Sequence, residues 1–345
     1  MTATTGGRSR TLSGRIVFLL IALLTLYVLW PSLLAVFSTG PELLSLNPAW
    51  LAAMVALEAG SFVCAWALQR FAMRTNKWFG VATAQLAGNA VSRIVPAGAA
   101  AGGAVQFRML VAAGVDATAV GTGLAAASLI STATLLALPL LAVPAVIAGR
   151  PVPRGLAQAA WLGAGVFAVA FAAGLVLLTT DGPLDRLGRA IEWLLHRIRR
   201  GSRTAGLPER LRTERDAIRS DLGRKWWEAL LASLGNWLFD YLALLAALTA
   251  VGSRPRPSLV LLAYVASMLL GMIPLTPGGL GFVEAGLTTL LVVAEVTARD
   301  AALATLAYRL ISYWLPLPAG VVAAALHRRR FGRGAAPPLG TMAGS

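Results

Sequence analysis

Charge is scarce in this chain. Charged residues make up 13% of its 345 residues and hydrophobic ones 57%. Soluble domains carry roughly 25% charged residues, so an ordinary soluble globular protein is excluded. Cysteine occurs once, at Cys64, and no disulfide framework can form within one chain. The two histidines, His196 and His327, lie far apart in basic flanks. No spacing suited to metal ligands surrounds them, so no metal is expected. No Ser-His-Asp set, paired catalytic carboxylates or phosphate-binding Walker loop is present. Gly279 and Gly281 are not followed by a third glycine at dinucleotide spacing and do not follow a strand, which removes that reading. No cofactor is expected.

What the chain has is a basic excess, 30 Lys plus Arg against 15 Asp plus Glu, for a net charge of +15. Such a charge raises nucleic acid as a partner, but its placement argues against one. The positive residues flank apolar runs: Arg8, Arg10 and Arg15; Arg70, Arg74 and Lys77; the 182–225 segment; and Arg328, Arg329, Arg330 and Arg333. That is the positive-inside pattern, and the partner it implies is the anionic lipid of the cytoplasmic leaflet.

A spanning helix needs about 20 apolar residues. Full spans are expected at 16–37, 49–71, 117–148, 157–180, 226–251 and 300–326. The 16–37 run is too long for a cleaved signal segment and lacks a small-x-small site, so it reads as an uncleaved first helix. Residues 1–15 and 328–345 read as cytoplasmic tails. Residues 182–225 carry twelve Lys/Arg and read as a basic cytoplasmic segment. Its first part is amphipathic, either lying on the membrane surface or packed on its own protein.

Two regions do not fit full spans. Residues 78–113 read as two short pieces joined at Val95-Pro-Ala-Gly98, and 258–296 as two short pieces joined at the Pro-Leu-Thr-Pro-Gly-Gly element. Both are expected as re-entrant helical hairpins, one from each side of the membrane. Three short spans across 258–326, in place of a hairpin and one span, would satisfy the same topology. The fold class is an all-α polytopic membrane bundle with about six full spans and two hairpins, about eight segments. The membrane halves are 16–181 and 226–327. Paired Gly/Pro-interrupted segments in opposite halves are the signature of an inverted repeat and point to a transporter's binding site.

The first candidate site is Asn89, Arg93, Pro96, Gly98, Gly102, Gly103 and Arg108. Pro96 and Gly98 break the helix, and the next half-helix begins with N–H groups that favour an anion. Arg93 and Arg108 could add bidentate phosphate contacts. The competing reading is a Gly-x-x-x-Gly packing face with snorkelling arginines. The second is Pro274, Pro277, Gly278, Gly279, Gly281 and Glu284. Broken backbone at membrane depth needs protein or a water-filled cavity around it. An intramembrane ionisable residue beside it is a functional hypothesis. Arg309 is the natural partner of Glu284. Glu58 and Asp240 are the other acids inside apolar segments, and with Glu284 they are candidates for charge balance or proton coupling. Their pairing with Arg93 or Arg108 stays open. Tyr313 and Trp314 read as belt or packing residues, with cavity lining as the alternative.

At Pro274-Leu-Thr-Pro-Gly-Gly-Leu-Gly-Phe-Val-Glu284 and Tyr308-Arg309-Leu-Ile-Ser-Tyr-Trp314-Leu-Pro316, the chain resembles the lysylphosphatidylglycerol synthase transmembrane-region family. Asn89 through Gly103, with Arg108, resembles that family's N-terminal signature. The resemblance implies a flippase-like membrane domain in the bacterial cell membrane. It does not imply synthase activity, because the chain ends just after its last span. The expectation is translocation of an anionic or phosphate-bearing lipid, with a homo-oligomer or a separate lipid-synthesising enzyme as partners left open. The alternatives are an intramembrane enzyme acting on a phospholipid or polyprenyl lipid, and a non-catalytic scaffold.

Overall fold

A computed structural model describes residues 46–95, 98–142, 207–272 and 277–332, with isolated positions at 165, 182, 186 and 189. The expected spans at 16–37 and 157–180, most of the surface segment before 207, Pro96, Pro274 and the tail beyond 332 lie outside the described residues. All elements described are helical. They are α1 (Pro48–Met73), α2 (Trp78–Ile94), α3 (Gly98–Ala112), α4 (Ala117–Ala137), α5 (Leu207–Ala250), α6 (Pro257–Gly271), α7 (Phe282–Val293), α8 (Ala298–Arg309) and α9 (Pro316–Phe331). A tight turn at Leu138–Ala142 extends α4, and a π turn at Leu310–Trp314 joins α8 to α9.

Helix starts are set by local chemistry. Asn47, Asp116 and Thr297 accept side-chain hydrogen bonds from Ala49, Ala119 and Asp300, which satisfies first-turn donors. Proline opens α1 at a position where its missing N–H costs nothing. Four helices among the described residues are long and apolar enough to cross a membrane: Pro48–Met73, Ala117–Ala142, Trp227–Ala250 and Ala298–Phe331. At 1.5 Å per residue, α2, α3, α6 and α7 reach only about 18–26 Å, short of the roughly 30 Å hydrocarbon core. The polar segment does not stop before the fifth expected span. α5 is continuous over 44 residues from Leu207, because after Pro208 only Gly223 and Gly235 weaken the helix, and each glycine costs only about 1 kcal/mol.

α1 and α5 form an antiparallel pair at the centre. Ser61 hydroxyl donates to the Asn236 carbonyl at 3.0 Å, and the Asn236 amide donates to the Ser61 hydroxyl at 2.7 Å. On either side, Gly60 faces the Phe239 ring and Gly235 faces the Cys64 sulfur. Around this pair the packing repeats. α2 packs on α3 as α6 packs on α7; α1 on α4 as α5 on α8; α3 on α4 as α7 on α8; and α2 on α9 as α6 on the turn that ends α4. Two halves of opposite direction thus share one contact pattern. The main apolar core lies in the second half, around Leu244, Leu259, Tyr264, Leu287 and Leu291, all buried. The first hairpin is held by close backbone approach: a Cβ on Gly88 would stand 2.8 Å from the Gly102 carbonyl oxygen. His327 ties α9 to that hairpin, with Nδ1 2.7 Å from the Thr83 hydroxyl and Nε2 2.9 Å from the Met109 carbonyl.

Candidate functional site

The tips of the two helix pairs meet. Gly278, Gly279 and Gly281 have φ of 60°, 71° and 75°, a backbone region that glycine enters at little cost. A Cβ on Gly278 would run into the Tyr313 hydroxyl and stand 2.9 Å from the Arg93 carbonyl oxygen. The Pro277–Gly279 turn therefore seats on the C-terminal end of α2. The Tyr313 hydroxyl donates to the Arg93 carbonyl at 2.9 Å.

Arg93 is engaged by protein through three of its five N–H donors. Its Nε donates to Asn89 Oδ1 at 3.0 Å, and its Nη1 donates to the carbonyls of Ser312 (2.8 Å) and Tyr313 (2.5 Å). The reason lies four residues beyond Ser312. Pro316 has no N–H, so the carbonyl of residue i−4 lacks its helical donor, and Arg93 supplies one. Arg309 is engaged as well. Its Nε pairs with Glu284 Oε1 at 2.8 Å and its Nη2 lies 3.5 Å from the Gly278 carbonyl. The Tyr313 ring sits by both guanidiniums, 4.8 Å from Arg93 and 4.3 Å from Arg309, a cation–π geometry that dampens their repulsion.

A second polar knot adjoins it. Asp240, on α5, accepts from the Tyr264 hydroxyl at 2.5 Å and from the Tyr308 hydroxyl at 2.8 Å. Glu58, buried on α1, lies within hydrogen-bonding reach of Asp240, and Arg93 feels the charge of both. Three carboxyls and two guanidiniums thus occupy one region of the bundle. Glu58 Oε2 and Glu284 Oε2 are buried with no hydrogen-bond partner among the described residues.

Beside the knots lies a cavity of about 490 Å³ between α1, α2, α3, α4 and α5. Gln69, Gln85, Asn89, Gln106 and Asn236 supply amides to its wall, and α4 supplies hydroxyls at Ser128, Ser131 and Thr132. Among the described residues, no ionisable side chain lines it. Asn89 joins the two regions, since it faces the cavity and also holds Arg93.

The structure brings together Asn89, Arg93, Gly278, Glu284 and Arg309, with Glu58 and Asp240 alongside, and Glu284 pairs with Arg309 as the sequence suggested. Gly98 packs against the Ser92 backbone, Gly102 against Gly88, and Gly103 opens onto the cavity. Gly279 backs onto Val283, while Gly281 has open space around it. Arg108 is not part of the cluster: it is exposed and donates to Ala104 of its own helix at 3.4 Å. Tyr313 is 3% exposed and sits between arginines rather than in an interfacial belt. Sequence reasoning missed Tyr264, Tyr308 as an Asp240 ligand, and the amide wall. One signal was available: Gln85, Asn89 and Ser92 recur at helical spacing on one face.

A family model described as lysylphosphatidylglycerol synthase TM region matches residues 14–320. Two proteins of Methanothermobacter thermautotrophicus, each described as a "UPF0104 membrane protein", are similar over shorter stretches. One is 34% identical over 92 residues, 27% of this chain and 26% of the relative; the other is 33% identical over 87 residues, 25% and 26%. The matched region thus spans about a quarter of the length of these curated relatives.

Proposed function

We propose, for a chain that belongs to the lysylphosphatidylglycerol synthase transmembrane-region family, that it moves a phosphate-bearing or otherwise anionic lipid between leaflets and is a transporter rather than an enzyme. The observation that carries this reading is the meeting of two broken-helix tips at a charged knot beside a polar cavity. Broken helices around a polar site are how transporters expose backbone groups to a substrate. Ala99, Gly102 and Gly103, from the first turns of α3, line the cavity, so the amide end of that helix is a seat for phosphate. Arg108, exposed on the same helix, draws anionic headgroups toward it. Glu58, Asp240 and Glu284 balance Arg93 and Arg309 or pass protons as the tips part. The two short helix pairs act as re-entrant hairpins, and both termini face the cytoplasm of a cell membrane.

A leaflet assay tests the reading. The chain is reconstituted into liposomes carrying a fluorescent phospholipid, and dithionite quenches only the outer leaflet. Wild-type protein is expected to expose the protected half far faster than protein-free vesicles do. No acceleration would remove the translocation reading. Equal rates for wild type and Arg309→Ala would remove the role given to Arg309.

A further inference from the structure

The cavity carries more information than the charges beside it. Among the described residues, its wall holds five amides and four hydroxyls and no ionisable group. Some of this capacity is spent within the protein: Gln106 Nε2 donates to Gln69 Oε1 at 2.7 Å, and Gln85 Oε1 accepts from Trp66 at 2.6 Å. The amide nitrogens of Gln69 and Gln85, the carbonyl oxygen of Gln106, and the hydroxyls of Ser128 and Thr132 have no protein partner among the described residues. Both donors and acceptors therefore face the space.

That mixture of donors and acceptors discriminates between ligands. A phosphate or carboxylate offers only acceptors and is best met by charge-assisted donors, whereas no Lys or Arg is among the described residues that line the cavity, and Arg93 and Arg309 direct hydrogen bonds to protein groups outside it. An ammonium offers only donors and would seek an anion or an aromatic face. A hydroxyl is both donor and acceptor, as amides and hydroxyls are. A volume of about 490 Å³ falls within the 300–1,000 Å³ range of small-molecule sites and accommodates more than one hydroxyl-bearing carbon unit.

We infer that this cavity binds an uncharged, multiply hydroxylated headgroup moiety, a polyol or a sugar, on the lipid that the protein carries. The inference rests on the translocation reading only for how the ligand reaches the cavity. The hydroxyls bridge the Gln69–Gln106 pair on one side and the α4 hydroxyls on the other. A phosphate, where the lipid has one, stays outside the amide wall at the start of α3.

The test is binding, read apart from transport. The full chain is purified in a polyoxyethylene detergent, since a maltoside headgroup would itself compete. It is then equilibrated with three lipids of identical acyl chains: phosphatidylglycerol, a glucosyl-diacylglycerol and phosphatidic acid. Retention is measured by native mass spectrometry. The hydroxylated lipids are expected to be retained about tenfold better than phosphatidic acid, and added dodecyl maltoside to displace them. Retention of phosphatidylglycerol alone would identify a polyol carried on phosphate; retention of the glucosyl lipid alone would identify a sugar. Thr132→Val and Ser128→Ala, which change little volume, are each expected to reduce the preference severalfold. Phosphatidic acid retained as well as the others, or a preference that both variants leave untouched, would overturn the inference. Either result leaves the leaflet assay to decide translocation separately.

Discussion

The two helix pairs occupy equivalent places in the repeated contact pattern yet do different work. The first, α2 and α3, contributes Gln85, Asn89, Ser92, Gly103 and Gln106 to the cavity wall. Among the described residues, the second, α6 and α7, gives that wall only Met272, just past the end of α6. It brings instead the left-handed glycine turn and Glu284 to the charged knot. The first pair lines a neutral cavity and lends Arg93 to the charged knot, while the second supplies an electrostatic clasp. The difference teaches that the charged groups described inside this bundle pair with protein, while the described cavity wall is built from groups that do not ionise.

That contrast can be broken from the clasp side first. Arg309→Ala leaves Glu284 buried and unpaired, and breaking such a pair costs about 3–5 kcal/mol; a large fall in thermal unfolding temperature in detergent is expected. The double variant Glu284→Gln with Arg309→Met should recover much of it, which separates a lost charge partner from lost packing. Arg93→Lys is next. A lysine cannot hold Asn89 and two carbonyls in one fork, and hydrogen bonds from charged groups contribute about 1.5–3 kcal/mol each. A loss of roughly 2 kcal/mol in the same assay is expected. Gly278→Ala forces an L residue into positive φ against Tyr313. Strained backbone of this kind costs about 1–3 kcal/mol, and the unfolding midpoint should fall accordingly. Gln106→Leu sharpens the comparison from the other side. It removes one neutral bond to Gln69, about 1 kcal/mol at most, so the unfolding midpoint should barely move while lipid retention falls.

The elements were legible in the sequence where composition alone decides them. Proline, glycine and segment length marked both short helix pairs, and the apolar runs marked the spans. Glu284 and Arg309 were legible as a pair because a buried charge needs a partner and few were on offer. Arg93 was legible as special but not in its role, because its partners are backbone carbonyls, which carry no sequence label. Pro316 was the available clue, since it leaves the Ser312 carbonyl without a helical donor. The Asp240 tyrosines were hidden because Tyr264 lies 24 residues from Asp240 and Tyr308 lies 68 away, a proximity that only tertiary packing creates. The cavity was hidden for a different reason. Glutamine, asparagine, serine and threonine are tolerated in transmembrane helices at modest cost, so they do not stand out as charges do.

The bond from Arg93 to Tyr313 spans 220 residues of chain, and this separation sets an order of assembly. At synthesis rates of about 5–20 residues per second, Arg93 emerges roughly ten to forty seconds before Ser312, Tyr313 and Arg309. Of its hydrogen-bond partners only Asn89, on its own helix, is then available. The first helix pair is therefore made with its tip unfinished, and the Leu310–Trp314 turn, made some 220 residues later, completes it. Truncation within α8–α9 would leave that tip open however well the preceding helices had formed.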